Sequence, residues 1–136
     1  MLPDTFKAHP ILVIGHRGSP LRAPENTLLS FQKALEEGAL GIEFDIRLSK
    51  DHEVFVYHDE KMERLTKARG FFRECNSKKL RSLNLGHRGG ISNDIRIPFL
   101  EEALKDFGKR CVLYIELKVI LQKNVVRRLH KKPCFF

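Results

Sequence analysis

Residues 41–48 read Gly41-Ile42-Glu43-Phe44-Asp45-Ile46-Arg47-Leu48. Ile42, Phe44 and Ile46 alternate with Glu43 and Asp45, and side chains two apart on an extended chain share a face. The stretch predicts a strand with one apolar side to pack against helices and a second side on which two carboxylates are neighbours. Leu113-Tyr114-Ile115-Glu116-Leu117-Lys118 repeats the arrangement, with Leu113, Ile115 and Leu117 opposite Glu116 and Lys118. One such strand could simply turn a charged face to water. Two of them, with helix-like segments between, argue for an α/β fold with a parallel sheet, in which functional side chains collect at the carboxyl ends of the strands.

Working outward, Ile11 to Gly15 is a short apolar, β-branched run that ends in Gly15-His16-Arg17-Gly18 and suits a strand buried on both faces. Asn26 or Thr27, after Pro24, caps a helix with Leu28, Phe31, Ala34 and Leu35 on one stripe and Gly38 at its end. Lys50-Asp51-His52-Glu53 turns the chain into a third strand, Val54 to Tyr57, which leads to His58-Asp59. Glu60 to Asn93 is irregular and reads as an excursion outside the main sheet. Pro98 to Phe107 is a second helix, with Leu100, Ala103, Leu104 and Phe107 on one face, and Cys111 to Lys118 the fourth strand. Val119 to His130 has a weak amphipathic pattern. Gly-His-Arg-Gly recurs at Gly86 to Gly89, but in a turn-rich context that does not match the first copy, so no repeat is expected.

In the 136 residues, 42% are hydrophobic and 31% charged, the balance of one folded domain rather than a disordered chain. No run approaches the ~20 apolar residues of a membrane span, and Met1 to Pro10 lacks the pattern of a secretory signal. Cys75, Cys111 and Cys134 are odd in number and widely spaced, the pattern of reduced thiols in a cytoplasmic protein. Of the +8 net charge, Lys123, Arg127, Arg128, Lys131 and Lys132 supply five in an acid-free terminus. With no recognition motif beside it, that terminus reads as a solvated tail, and nucleic acid is not an expected partner.

The two charged strand faces and the two strand ends collect Glu43, Asp45, Glu116, His16, His58, Arg17 and Lys118. Three carboxylates offer the hard oxygen ligands that hold Mg²⁺ or Ca²⁺, and without a cation they would repel one another. Arg17 and Lys118 could neutralise a phosphate. Two histidines can move protons on opposite sides of a reacting centre. Together these residues point to metal-assisted phosphoester chemistry. Glu25 and Asn26 read as a helix N-terminus with Asn26 capping, Tyr114 as interior filler, Cys111 as a small core residue, and His9, His52, His87 and His130 as surface residues.

Gly15-His16-Arg17-Gly18, Pro24-Glu25-Asn26-Thr27, Ile42-Glu43-Phe44-Asp45, His58-Asp59, Ile97-Pro98 and Ile115-Glu116-Leu117-Lys118 occur in the order found in the glycerophosphodiester phosphodiesterase family, which the chain resembles over residues 11 to 118. The resemblance implies a TIM (β/α)8 barrel and divalent-cation-dependent hydrolysis of glycerophosphodiesters, small-molecule substrates, to glycerol 3-phosphate and an alcohol. By position, His16 and His58 resemble the general acid/base pair and Arg17 and Lys118 the phosphate contacts. Glu43, Asp45 and Glu116 resemble the metal ligands, and Glu60 to Asn93 resembles the family's small insertion.

A barrel of this type takes about 250 residues, so only about the first four β/α units are expected here. The reading divides the chain into a segment at 1–10, a truncated phosphodiesterase-like domain at 11–118 and a divergent basic tail at 119–136. It leaves an alternative to the enzyme: a catalytically impaired half-barrel that retains cation binding only. Open sheet edges would leave the chain marginally stable and prone to self-association.

Overall fold

The strand expected at 41–48 forms over those residues, as β2 (Gly41–Leu48), and every other strand pairs with it. The computed structural model describes residues 11–85 and 94–118. The segment at 1–10 with His9, the second Gly-His-Arg-Gly, the expected Val119–His130 helix, Cys134 and the basic tail lie outside the described residues. The remaining elements are β1 (Ile14–His16), α1 (Leu28–Glu36), β3 (Val54–Val56), a 3-10 turn at Phe72–Glu74, α2 (Ser77–Ser82), α3 (Leu100–Phe107) and β4 (Val112–Leu117).

β1 and β4 run parallel to β2, with His16 beside Glu43 and Glu116 beside Asp45. The carbonyls of Glu43 and Asp45 accept from Arg17 N and Tyr57 N, whereas that of Ile46 accepts from Lys118 N. Carbonyls two residues apart leave a strand on the same edge. One edge of β2 is therefore lined first by β1 and then by β3, and the other by β4.

β3 corrects the expectation of an all-parallel sheet. It pairs antiparallel with β2, Ile46 opposite Val56 and Leu48 opposite Val54. The connection is only residues 49–53, closed by Ser49 N to Glu53 O at 2.9 Å and Glu53 N to Ser49 Oγ at 2.9 Å. A parallel return needs a crossover of about a dozen residues or more. The hairpin brings His58 back beside the middle of β2.

The apolar side of β2 meets α1 and α3 as the alternation requires. Ile42, Phe44 and Ile46 are buried with Phe31, Val56, Leu100, Ala103 and Phe107, and Leu113 and Ile115 of β4 pack against them. Phe31 touches Phe44 at 5.3 Å and Phe107 edge-on at 5.6 Å between ring centres. Each such ring contributes roughly 1.5–3 kcal/mol by leaving water. α1 starts at Thr27, whose Oγ1 accepts from Ser30 N at 3.2 Å. Thr27, not Asn26, is thus the cap. The excursion after His58 packs on its own core: Phe55, from the other face of β3, and Tyr57 just after it lie with Met62, Phe72, Cys75, Leu80, Leu85, Ile95 and Ile97.

The run Ile11 to Ile14 departs from the expected burial on both faces, since these residues are 74, 43, 55 and 38% exposed. The strand itself spans only Ile14–His16, and among the described residues no strand pairs with its outer edge. Leu104 of α3 is also exposed, at the margin of that helix's apolar face.

Candidate active site

On the polar side of β2, Glu43, Asp45 and Arg47 stand in a row. β4 adds Glu116 next to Asp45, and carboxylate oxygens of Glu43, Asp45 and Glu116 lie within 4.8 Å of one another. Asp45 is 1% exposed, and among the described residues its Oδ1 has no hydrogen-bond partner. Lys118 Nζ lies 3.5 Å from that oxygen and 2.5 Å from Glu116 Oε1. The hydrogen bond to Glu116 is the main reason the Lys118 ammonium is held above its usual range. Burial, and then the charge of Asp45, push Glu43 above the ordinary glutamate value. A hard divalent cation fits this set, because it would satisfy the orphaned oxygen and cancel the repulsion that raises Glu43.

The His16-Arg17-Gly18 turn brings two more groups. Arg17 sits in the left-handed region at φ 57°, a costly conformation for a residue with a side chain. It is held there by Arg17 N to Glu43 O (2.8 Å), Asn26 N to Arg17 O (3.1 Å) and Ser30 Oγ to Arg17 O (3.0 Å). Gly18 follows at φ +86°, and a Cβ there would lie 2.3 Å from Ser30 Oγ, so only glycine fits. The turn aims the Arg17 guanidinium inward: NH1 donates to Glu25 Oε1 at 2.9 Å, and Nε lies 3.2 Å from Asp45 Oδ2 without forming a hydrogen bond. His16 Nε2 is 3.8 Å from Glu43 Oε2, with most of the ring exposed.

His58 arrives from the other direction. Its Nδ1 is 2.7 Å from Asp59 Oδ1, and its carbonyl accepts from Arg47 Nε at 2.7 Å. Arg47 NH1 donates to the Lys118 carbonyl at 3.1 Å, so this one side chain ties both flanks to β2. Burial is the main force that lowers the Arg47 pKa from its usual value. Arg64 joins Asp59 to Glu25. Burial alone would raise the Asp59 carboxyl, but hydrogen bonds from Arg64 and His58 outweigh it and hold the group at about 2. In the same way, Arg64 and Arg17 overcome burial and hold Glu25 below its ordinary value. Beside His58 lies an open cleft of about 570 Å³, lined by Arg47, His58, Asp59, Glu60, Lys61, Glu63 and Arg64.

The sequence-expected residues His16, Arg17, Glu43, Asp45, Glu116 and Lys118 are therefore neighbours, and His58 is tied to them through Asp59, Arg64 and Glu25. Sequence reasoning missed Arg47, Arg64 and the role of Asn26. Arg47 continues the two-residue spacing of Glu43 and Asp45, which is a readable signal. Asn26, read as a cap, instead donates Nδ2 to Asp45 Oδ2 at 3.0 Å and accepts from Asp45 N at 3.3 Å, from a left-handed backbone at φ 58°. Nothing local in the sequence distinguishes Arg64 from the other basic residues of its segment.

The family profile described as the Glycerophosphoryl diester phosphodiesterase family matches residues 16–135. The uncharacterized protein YqiK of Bacillus subtilis is 40% identical over 117 residues, which are 85% of this chain and 46% of that protein. A glycerophosphodiester phosphodiesterase of Caldanaerobacter subterraneus is 37% identical over 124 residues, 88% of this chain and 51% of the relative. The chain thus spans about half the length of the curated relatives it matches. Among solved structures, a glycerophosphodiester phosphodiesterase from Thermotoga maritima superposes with a TM-score of 0.73 at 34% identity, covering 93% of this chain and 52% of the other. An Oleispira antarctica phosphodiesterase, solved with the product sn-glycerol-3-phosphate, gives 0.75 at 34% identity over 79% and 44%. The fold is accordingly part of a TIM barrel. The alternating strands, the site they assemble and these matches lead to one assignment: the chain belongs to the glycerophosphoryl diester phosphodiesterase family.

Proposed function

We propose that this site hydrolyses glycerophosphodiesters to glycerol 3-phosphate and an alcohol. The observation that carries the reading is the cluster of Glu43, Asp45 and Glu116 oxygens within 4.8 Å, flanked by Arg17, Lys118 and His16. The product-bound Oleispira antarctica relative supports the substrate class. Glu43, Asp45 and Glu116 would hold a divalent cation, Mg²⁺ or Ca²⁺, which when bound supplies Lewis-acid polarisation of a phosphate oxygen. Arg17 and Lys118 bind and orient the phosphate as positive charges on two sides of it. One of His16 and His58 takes the proton from the attacking hydroxyl, that of water or of the glycerol itself. The other delivers a proton to the oxygen of the departing alcohol as its bond to phosphorus breaks; where the glycerol hydroxyl attacks, water then opens the resulting cyclic phosphate to glycerol 3-phosphate. Asp59 fixes the His58 ring by its Nδ1, which leaves Nε2 as the nitrogen free to exchange a proton. All seven side chains fall within 11–118, which we take as the domain with 119–136 a basic tail, although the family profile runs on to residue 135.

The test is release of glycerol 3-phosphate from glycerophosphocholine by this chain, with and without EDTA. The reading expects release that EDTA abolishes and added Mg²⁺ or Ca²⁺ restores. Release that ignores EDTA would contradict the cation site. Saturable cation binding without release would favour a partial barrel that holds a cation only.

A further inference from the structure

We propose that Arg64 is a positioning residue that locks the two histidine-bearing arms of the site together, through Glu25 to Arg17 on one side and through Asp59 to His58 on the other. The inference rests on the phosphodiesterase reading above for its catalytic consequence, and on geometry alone for the link itself. Arg64 Nε and NH2 donate to Asp59 Oδ2 and Oδ1 at 2.6 and 3.0 Å. NH1 and NH2 donate to Glu25 Oε2 and Oε1 at 2.9 and 2.6 Å. Each carboxylate passes the contact on: Glu25 Oε1 accepts from Arg17 NH1 at 2.9 Å, and Asp59 Oδ1 lies 2.7 Å from His58 Nδ1.

An exposed ion pair is worth little, and Arg64 itself is partly exposed, but three features set this one apart. Both pairs are two-pronged, which fixes the plane of the guanidinium and of each carboxylate. The two carboxylates are mostly buried, each bonded to a proposed site residue. The turn that carries Arg64 is anchored by buried Met62 and Thr66, with Thr66 Oγ1 donating to Met62 O at 2.9 Å. Glu25 and Arg64 are 39 residues apart, and Asp59 and Arg64 only 5, so this bridge spans the hairpin arm and the β1 arm. Four of the five guanidinium N–H groups of Arg64 are thus taken up by the two carboxylates.

The experiment is NMR of the His58 ring nitrogens and of the Arg17 Nε–H in the full chain, for the unaltered protein, Arg64→Ala and Arg64→Lys. The unaltered chain should show neutral His58 as one tautomer with the proton on Nδ1. Both variants should show a mixture of tautomers and a displaced Arg17 signal, although the bonds of Arg64 go to Asp59 and Glu25 rather than to either side chain. Lysine keeps the charge but cannot present two forks, so Arg64→Lys decides the matter even if Arg64→Ala does not fold. Arg22→Ala, which breaks an exposed pair with Glu37, should leave both signals in place. Folded Arg64 variants with an unchanged His58 tautomer and Arg17 signal would overturn the proposal. Where the unaltered chain hydrolyses glycerophosphocholine, kcat in Arg64→Lys should fall about 10- to 100-fold, the size of effect expected from a small misplacement, with KM raised as Arg17 shifts. Loss confined to KM would count against positioning. Absence of hydrolysis in the unaltered chain would count against the phosphodiesterase reading instead, and the NMR result would still decide the role of Arg64.

Discussion

His16 and His58 reach the site by opposite routes. His16 ends a parallel strand, its side chain is 72% exposed, and its nearest acidic partner, Glu43, is 3.8 Å away. His58 follows an antiparallel strand, its side chain is 29% exposed, and Asp59 holds it at 2.7 Å. The β1 arm is shaped by its backbone, with Arg17 and Gly18 both at positive φ and closed by bonds to Glu43, Asn26 and Ser30. The β3 arm is shaped by side chains, namely Arg47, Asp59 and Arg64. The two histidines proposed as acid and base thus come from strands that are not equivalent, on segments that return to the same stretch of β2.

If both arms serve one reaction, His16→Ala and His58→Ala should each lower hydrolysis of glycerophosphocholine by at least ~100-fold. Near-normal turnover in either variant would break the symmetry of roles while leaving the geometry intact. The next effect concerns the β1 arm alone. Gly18→Ala puts a Cβ 2.3 Å from Ser30 Oγ at φ +86°. A loss of about 1–3 kcal/mol is expected, read as a lower midpoint in urea unfolding with an unchanged slope. An unperturbed midpoint would show that this turn is not held as tightly as its contacts imply.

The comparison also marks what could be read from the sequence. β2 is legible in the sequence because seven positions, Ile42 to Leu48, alternate cleanly between apolar and polar. The carboxylate cluster followed from that alternation and its echo in β4. The expectation of a parallel sheet gives β3 the wrong direction, yet the signal exists: a connection as short as 49–53 cannot carry a parallel crossover. The exposure of Ile11 to Ile14 was hidden because an apolar run records what a strand could bury, not which elements lie over it. Asn26 was misassigned because a helix start suits both residues at 26 and 27, and only the fold shows that Asp45 takes the first of them. Arg64 was illegible, since its partners are defined by tertiary contact alone.

A smaller effect sharpens the contrast between the arms through pH. Asp59 has its pKa lowered from 3.8 to about 2 in the folded chain. A carboxyl depressed on folding contributes stability that is present above its unfolded value and is lost as pH falls through the folded one. Between pH 4 and pH 2 the His58–Asp59 contact should therefore weaken, with the Asp59 carboxyl signal in NMR at a midpoint of about 2. A midpoint near the ordinary value of 3.8 would contradict the bonding assigned to Arg64 and His58.

Both arms matter only if the row of carboxylates they flank holds a cation. The most direct measurement is a Mg²⁺ and Ca²⁺ titration of the chain followed by backbone amide shifts, repeated with Asp45→Asn and Glu116→Gln. Saturable one-to-one binding is expected, with shifts centred on Glu43, Asp45 and Glu116 and affinity reduced at least ~10-fold in each variant. Absence of saturable binding, or binding that both substitutions leave unchanged, would contradict the account.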